Sequence, residues 1–353
     1  MSELSPGHVR SSKVMTVGGP IPADQLGITL MHEHILNDCR CWWHEPTAPE
    51  RRHLADRPVS IEILGELRMD PFVNRQNCTL DDEALAVVEL AKAAALGCRS
   101  VVDPTCRGIG RNPRALLRIS QATGLQIVMG AGYYLETSHP PELKSLGIDD
   151  IADQIVEEAI IGIDGTGIRI GLIGEIGVSG DFTAAEQKSL CAAARAQMRT
   201  RLPLMIHLPA WFRHAHRVLD TVEEEGGELR HTVLCHMNPS GHDVAYQTSV
   251  ADRGAFLEYD MIGMDYWYAD QQVQCPSDEE NARAIAGLVE RGYGDRILLS
   301  QDVFLKMMLT RYGGFGYGYL FRHFLPRLKR RGLDDGALRR LIVDNPRRVF
   351  QAD

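Results

Sequence analysis

Short apolar runs alternate along the chain with longer stretches in which apolar residues recur at helical spacing. Nearly continuous apolar runs are typical of strands that are covered on both faces, as in a parallel sheet. The predicted strands are Ile28–His34, Ser100–Pro104, Gln126–Gly130, Arg169–Gly174, Pro203–His207, Thr232–His236, Ala255–Asp260 and Ile297–Asp302. Eight strands with helices between them predict an α/β fold, a (β/α)8 TIM barrel.

Helical patterns occupy much of the sequence between these strands. Leu80–Ala95 carries apolar residues on one helical face, and Gly97 follows it as a stop signal. Thr183 and Glu186 form a capping-box pattern at the start of the helix Thr183–Gln197. A doubly wound open sheet is the alternative fold, but no Gly-x-Gly-x-x-Gly motif follows the first strand. The other predicted helices are Ile151–Ile161, Asp278–Leu288 and Asp334–Leu341.

Two connections, residues 37–77 and 303–326, are too long to be simple turns. Long loops of this kind usually carry function, and in a barrel both would lie at the C-terminal face of the strands. We expect them to cap an active site within a single domain of residues 1–353. Their aromatic side chains either line a partly apolar pocket or anchor the loops: Trp42, Trp43, Phe304, Tyr312, Phe315 and Tyr317.

Composition narrows the class of protein. Of the 353 residues, 44% are hydrophobic, which is enough for a full core. The net charge of -9 argues against binding to nucleic acid, whose phosphates require a basic face. No apolar run reaches the roughly 18 residues of a membrane span, so we expect no membrane partner. Residues 1–12 lack a signal-peptide pattern, and the eight cysteines form no CxxC pair, which together predict a cytoplasmic protein with reduced thiols.

Residue types that bind metals stand at the ends of five predicted strands. His32 and His34 close the first strand, and their spacing places both side chains on the same side of it. Alone, each such residue is more often structural than a ligand. Buried carboxylates without partners are costly, however, and a group of imidazoles and carboxylates on one barrel face predicts a site for two divalent metal ions. The candidate ligands are His32, His34, Glu175, His207, His236 and Asp302.

These residues resemble the binuclear site of the phosphotriesterase family in the amidohydrolase superfamily. The spacings from Glu175 to His207, from there to His236, and on to Asp302 are 32, 29 and 66 residues, close to the family pattern. Segments 16–21, 26–34 and 345–350 also match, and the likeness covers the chain from Val14 to Phe350. It is closest to phosphotriesterase-related and resiniferatoxin-binding proteins.

The resemblance implies how the ligands are shared between two metal ions. His32, His34 and Asp302 would bind the more buried ion, and His207 and His236 the more exposed one. Glu175 would bridge both, where many relatives carry a carboxylated lysine. Zinc is the expected metal, with manganese, cobalt and iron as alternatives. A hydroxide between the metals would attack the substrate, and Asp302 would pass its proton to the leaving group.

The resemblance also implies a small-molecule substrate and a homodimer. A lactone or another carboxylic ester is the first expectation; an N-acyl amide and then a phosphotriester are the alternatives. A ligand-binding protein without catalysis is the alternative of another class. Tyr134 matches a tyrosine that lactone-hydrolysing relatives place beside the hydroxide. The expected substrate contacts are Arg107, Tyr133, Asp260, Phe304 and Trp43, although Asp260 could instead support a ligand histidine.

Overall fold

The computed structural model describes residues 13–351, and its centre is a ring of eight short parallel strands. Two further pairs of strands and an N-terminal hairpin lie outside the ring. In chain order the strands are β1 Lys13–Thr16, β2 Gly19–Pro22, β3 Thr29–Leu30, β4 Asn37–Asp38, β5 Thr79–Leu80, β6 Ser100–Asp103, β7 Gln126–Met129, β8 Ile173–Gly177, β9 Leu204–His207, β10 Thr232–Leu234, β11 Phe256–Tyr259, β12 Trp267–Tyr268, β13 Val273–Gln274 and β14 Ile297–Leu299.

The ring consists of two parallel segments, ordered β3-β6-β7 and β14-β11-β10-β9-β8. Backbone hydrogen bonds join these segments at both seams. Between β7 and β8, the N–H of Gly171 donates to the carbonyl of Met129 at 3.0 Å. Between β14 and β3, the N–H of Asp302 donates to His32 at 3.0 Å, and that of His34 donates to Val303 at 3.1 Å. The predicted TIM barrel is therefore confirmed.

Helices follow the barrel strands and cover them. The predicted capping box is present, since Thr183 accepts from the N–H of Glu186 and the Glu186 side chain accepts from the N–H of Thr183. Six helices were not among the predicted elements: Leu64–Met69, Pro113–Thr123, Ala215–Glu224, Val244–Ala251, Leu325–Arg330 and Asn345–Phe350. In chain order the helices are α1 Leu64–Met69, α2 Glu83–Ala94, α3 Pro113–Thr123, α4 Ile148–Ile160, α5 Ala184–Thr200, α6 Ala215–Glu224, α7 Val244–Ala251, α8 Asp278–Glu290, α9 Leu325–Arg330, α10 Asp335–Arg339 and α11 Asn345–Phe350.

The fourth barrel strand is displaced from its predicted position. The sequence predicts Arg169–Gly174, whereas β8 spans Ile173–Gly177. Glycine supplies no side chain to the apolar pattern, and Gly174 adopts a φ of 126°, so the apolar run is a poor guide to where this strand lies. As a result Glu175 lies within the strand, whereas His32, His34, His236 and Asp302 follow the last residues of theirs.

The barrel interior is apolar below the strand ends that carry the candidate ligands. Side chains from neighbouring strands fill it, among them Val102, Val128, Met205 and Val233. A second and larger apolar cluster lies between the strands and the surrounding helices. No helix in residues 13–351 is long and apolar enough to cross a membrane. The N-terminal stretch predicted to lack a signal peptide, residues 1–12, lies outside the described residues.

Candidate metal centre

The candidate ligands converge at the C-terminal ends of the barrel strands, with Glu175 at the centre of the group. Its Oε1 lies 2.9 Å from Nδ1 of His207 and 3.0 Å from Nε2 of His236. The same oxygen lies 3.6 Å from Nε2 of His32, and Oε2 lies 3.8 Å from Nε2 of His34. One carboxylate therefore faces four imidazoles that come from three different strand ends.

Asp302 completes the group from the eighth strand. Its Oδ1 lies 3.4 Å from Nε2 of His34 and 3.7 Å from Nε2 of His32. Both this oxygen and Nε2 of His32 are buried and have no hydrogen-bond partner among the described residues. Unpartnered buried polar atoms are costly, and distances of this size suit ligands that each lie about 2.0–2.2 Å from one shared ion.

The donor atoms form overlapping triads that fit two ions. One triad is His32, His34 and Glu175, and another is Glu175, His207 and His236, so Glu175 belongs to both. Imidazoles combined with carboxylates are ligands of zinc, manganese, iron and cobalt. The structure thus brings together all six candidates in the arrangement that a shared, bridging carboxylate requires.

Two of these residues are held in an uncommon backbone conformation. His236 has a φ of 59° and Asp302 a φ of 46°, the left-handed region that non-glycine residues rarely adopt. Such residues persist where the surroundings hold them in place, and they cluster at functional sites. Here the Asp260 carboxylate accepts from the N–H of His236 at 2.9 Å, and the carbonyl of His32 accepts from the N–H of Asp302 at 3.0 Å.

A second layer of polar side chains fixes the ligand imidazoles. Asp260 lies 3.0 Å from Nδ1 of His236 and 3.2 Å from Nδ1 of His32. Thr105 Oγ1 lies 2.8 Å from Nδ1 of His34, and Glu258 lies 3.2 Å from Nδ1 of His32. The structure places Asp260 behind the histidines and outside the cavity lining. Asp260 therefore supports the ligand histidines and does not contact the cavity, where a substrate contact was expected.

Glu33, between the two histidines of the first strand, holds the segment that carries Asp302. Its buried carboxylate accepts from the Ser300 hydroxyl at 2.8 Å, from the N–H of Gln301 at 3.0 Å and from the N–H of Val303 at 2.8 Å. Burial raises the pKa of Glu33 to about 8. All three partners lie about 270 residues away in sequence, so this pairing depends on closure of the barrel.

The imidazoles and carboxylates around Glu175 shift one another's pKa values. Burial alone would raise the pKa of Glu175, but the facing imidazoles of His32 and His207 outweigh it and hold this pKa below its usual range. Burial would lower the pKa of His236, yet Asp260 and Glu175 raise it to about 10. Burial raises the pKa of Asp302 to about 7. A metal ion that enters this site therefore displaces the proton that the raised pKa keeps on His236.

A cavity of about 600 Å³ opens above the metal-ligand group. Both long loops contribute to it, through Trp42 and Phe72 from residues 37–77 and Phe304 from residues 303–326. Tyr134 also lines it: its hydroxyl accepts from Trp42 Nε1 at 3.1 Å and lies 3.3 Å from Nδ1 of His207. A cavity of this size suits a small organic molecule.

Three of the expected substrate contacts have other partners. Trp43 donates to the carbonyl of Val73 and carries Arg75 above its ring; Tyr133 donates to Gln154; and Arg107 pairs with Glu142. None of the three lines the cavity. The loop aromatics Tyr312, Phe315 and Tyr317 also lie outside the lining. Sequence reasoning missed four aromatic residues that do line it: Phe72, Trp211, Phe212 and Tyr268.

A sequence model of the phosphotriesterase family matches residues 12–350 of this chain. The chain belongs to the phosphotriesterase family. The prediction of a hydrolase of this family is confirmed, as is a buried set of metal-binding groups, while the identity of the metal stays a prediction.

Similar proteins carry different functional names. This phosphotriesterase-family chain is 36% identical over 341 residues to the N-acetyltaurine hydrolase of Tetraodon nigroviridis, with 96% of this chain and 97% of the relative covered. It is 68% identical to a resiniferatoxin-binding protein from Rhodobacter sphaeroides, whose crystal structure superposes with a TM-score of 0.96 over 99% of this chain and 98% of that one. A lactonase structure from Listeria monocytogenes is 27% identical with a TM-score of 0.79, covering 96% and 99%.

Proposed function

We propose that this chain hydrolyses N-acyl amides with the help of two divalent metal ions. The observation that carries the proposal is the group of four imidazoles and two carboxylates, with Glu175 shared between two ligand triads. The amide is favoured over the lactone expected from the sequence because relatives at 31–36% identity, aligned over nearly all of this chain, are named N-acetyltaurine hydrolases. The lactone remains an unconfirmed alternative.

The proposed ligand assignment follows the geometry of the side chains. His32, His34 and Asp302 would hold one ion, His207 and His236 the other, and Glu175 both. Bound in this position, divalent ions lower the pKa of water and polarise a carbonyl group. Zinc is the proposed metal because it suits a mixed imidazole and carboxylate donor set.

Asp302 is the proposed proton carrier. Its Oδ1 has no hydrogen-bond partner among the described residues, and the cavity is lined in part by this side chain. A carboxylate placed between the ligand group and the cavity can accept a proton and then return it to the substrate. The amide nitrogen that leaves must gain a proton, and Asp302 supplies it.

Tyr134 is the proposed partner of the substrate carbonyl. Burial raises the pKa of its hydroxyl well above the ordinary value, so the proton stays on this oxygen and can be donated to an acceptor. The hydroxyl lies in the cavity wall beside His207. This placement orients the carbonyl toward the ligand group.

The replacement Asp302→Asn tests the proposal. We expect turnover to fall about 100-fold or more, because a positioned acid–base group typically contributes this much, while the amide oxygen still serves as a ligand. Metal content by mass spectrometry should remain near that of the wild type. Asp295→Asn, a half-buried carboxylate outside the cavity lining, is the control. Unchanged turnover in Asp302→Asn would reject the assignment.

Lactone hydrolysis is the second candidate. The structure of the Listeria lactonase covers 96% of this chain, and Tyr134, which the sequence resemblance matches to a tyrosine of lactone-hydrolysing relatives, lines the cavity. A panel of N-acyl amides, lactones, esters and a phosphotriester, assayed on metal-loaded protein, ranks these activities. Turnover of none of them, with the metal site loaded, would favour the ligand-binding function that the name of the Rhodobacter neighbour describes.

A further inference from the structure

Aromatic side chains from three loops form one continuous wall of the cavity. Phe72 stacks on Trp42 with ring centroids 5.5 Å apart and on Tyr268 at 5.2 Å. Tyr268 in turn meets Trp211 edge to face at 5.7 Å. We call Trp42, Phe72, Trp211 and Tyr268 the aromatic wall. Trp42 and Trp211 are only half-buried, so their rings remain available to a ligand.

Away from the ligand histidines, the cavity lacks cationic groups that recognise an anion. None of the described residues that line it is a lysine or an arginine. The exposed carboxylates Glu136 and Asp181 stand in its lining instead. Arg107, which the sequence placed on this face, pairs with Glu142 outside the lining. A sulfonate or carboxylate on a substrate would therefore lose water without gaining a cationic partner, which is unfavourable.

The N-terminus of α5 would otherwise be the natural place for an anion, because its free N–H groups point outward. The buried carboxylate of Glu186 already lies at that helix end. It accepts from the N–H of Ser179 at 3.0 Å, from the Ser179 hydroxyl at 2.7 Å and from the N–H of Thr183 at 3.1 Å. Its other oxygen accepts from the N–H of Glu136 at 3.3 Å. The protein's own carboxylate thus occupies the backbone donors that precede this helix, and a second anion here would meet its negative charge.

We propose that the part of the substrate remote from the scissile bond is an uncharged aromatic group seated on the aromatic wall. This inference rests on the proposed function for the bond that is cleaved, but the wall itself is independent of that bond. It also implies that the substrate of this chain lacks a sulfonate group such as the one that N-acetyltaurine carries.

Three acetamides that share one linker test the inference: N-acetyltaurine, N-acetyl-2-phenylethylamine and N-acetyl-2-cyclohexylethylamine. They differ only in a terminal sulfonate, phenyl or cyclohexyl group. We expect kcat/KM for the phenyl compound to be about tenfold or more above the value for the sulfonate. It should also be about threefold above the value for the cyclohexyl compound. Equal or faster hydrolysis of the sulfonate, or of the cyclohexyl compound, would overturn the inference. The acetate esters of the same three groups extend the test to ester cleavage.

Binding separates this inference from the proposed function. Trp42 and Trp211 lie in the wall, so quenching of tryptophan fluorescence reports occupancy without turnover. Selective quenching by the phenyl compound with no hydrolysis of any amide or ester would refute the proposed function and support the inference. Hydrolysis of the amides without preference for the phenyl group would support the proposed function and refute the inference.

Substitutions at Trp211 test the aromatic contact itself. Trp211→Leu keeps an apolar side chain but removes the ring, and we expect it to lower kcat/KM for the phenyl compound about fivefold. Trp211→Phe retains a ring and should stay within about twofold of the wild type. Phe315→Leu, an exposed aromatic in loop 303–326 outside the cavity, is the control. An equal loss in the leucine and phenylalanine variants would contradict the aromatic contact.

Discussion

Asp260→Asn tests whether the carboxylate behind the ligand histidines sets metal affinity. Asp260 accepts from the N–H and Nδ1 of His236 and lies 3.2 Å from Nδ1 of His32. An asparagine keeps one acceptor oxygen, but its NH2 group cannot accept a hydrogen bond from either histidine. Loss of one hydrogen bond to a charged group costs about 2 kcal/mol, which corresponds to about a 30-fold weaker metal affinity.

The assay is competition between the protein and a chelating metal indicator, followed by steady-state kinetics at saturating metal. We expect weaker metal binding, activity that returns when metal is added in excess, and an unchanged KM. Asp265→Asn changes a carboxylate in the loop after the same strand, where it accepts from Gln274, and should leave metal affinity unaltered. An Asp260→Asn protein with wild-type metal affinity and a raised KM would refute the reasoning and restore a direct substrate contact.

Two further predictions concern stability and pH. Glu33→Gln should lower the free energy of unfolding by about 2 kcal/mol, because an amide NH2 in place of Oε2 leaves the buried N–H of Val303 without an acceptor. Urea denaturation measures the loss, Glu50→Gln on the surface is the control, and wild-type stability would contradict the prediction. Metal affinity should rise with pH, because a proton on the His236 imidazole competes with the ion. The rise should extend from 6.5, the ordinary histidine pKa, to about 10, the pKa that Asp260 and Glu175 give His236. Calorimetry in buffers of different ionisation enthalpy detects the released protons, and an affinity independent of pH would refute the competition.

The sequence predicted the barrel and the ligand group because both depend on local patterns. Apolar runs locate the buried parallel strands, and parallel strands bring their C-terminal ends to one face. Residues such as His207 and His236 therefore converge wherever the strands themselves form. The helix Ala215–Glu224 was missed, although its buried residues do recur at helical spacing.

The cavity wall was harder to predict than the ligand group. Phe72, Trp211 and Tyr268 lie in or beside loops, and nothing in their neighbouring residues fixes the direction of these side chains. Their positions depend on contacts between loops that are distant in sequence. For the same reason Trp43, adjacent to Trp42, was expected in the cavity but packs against Arg75 instead.

The seam between β14 and β3 couples completion of the chain to assembly of the metal centre. His32 N–H donates to the Ser300 hydroxyl across 268 residues of sequence, and the same seam places Asp302 beside the first two histidines. During synthesis, the emerging polypeptide can present its other ligands early, but the full donor set exists only after residue 302 has left the ribosome. Loading with both ions must then be a late event, and a truncated product released before that point would carry an incomplete centre.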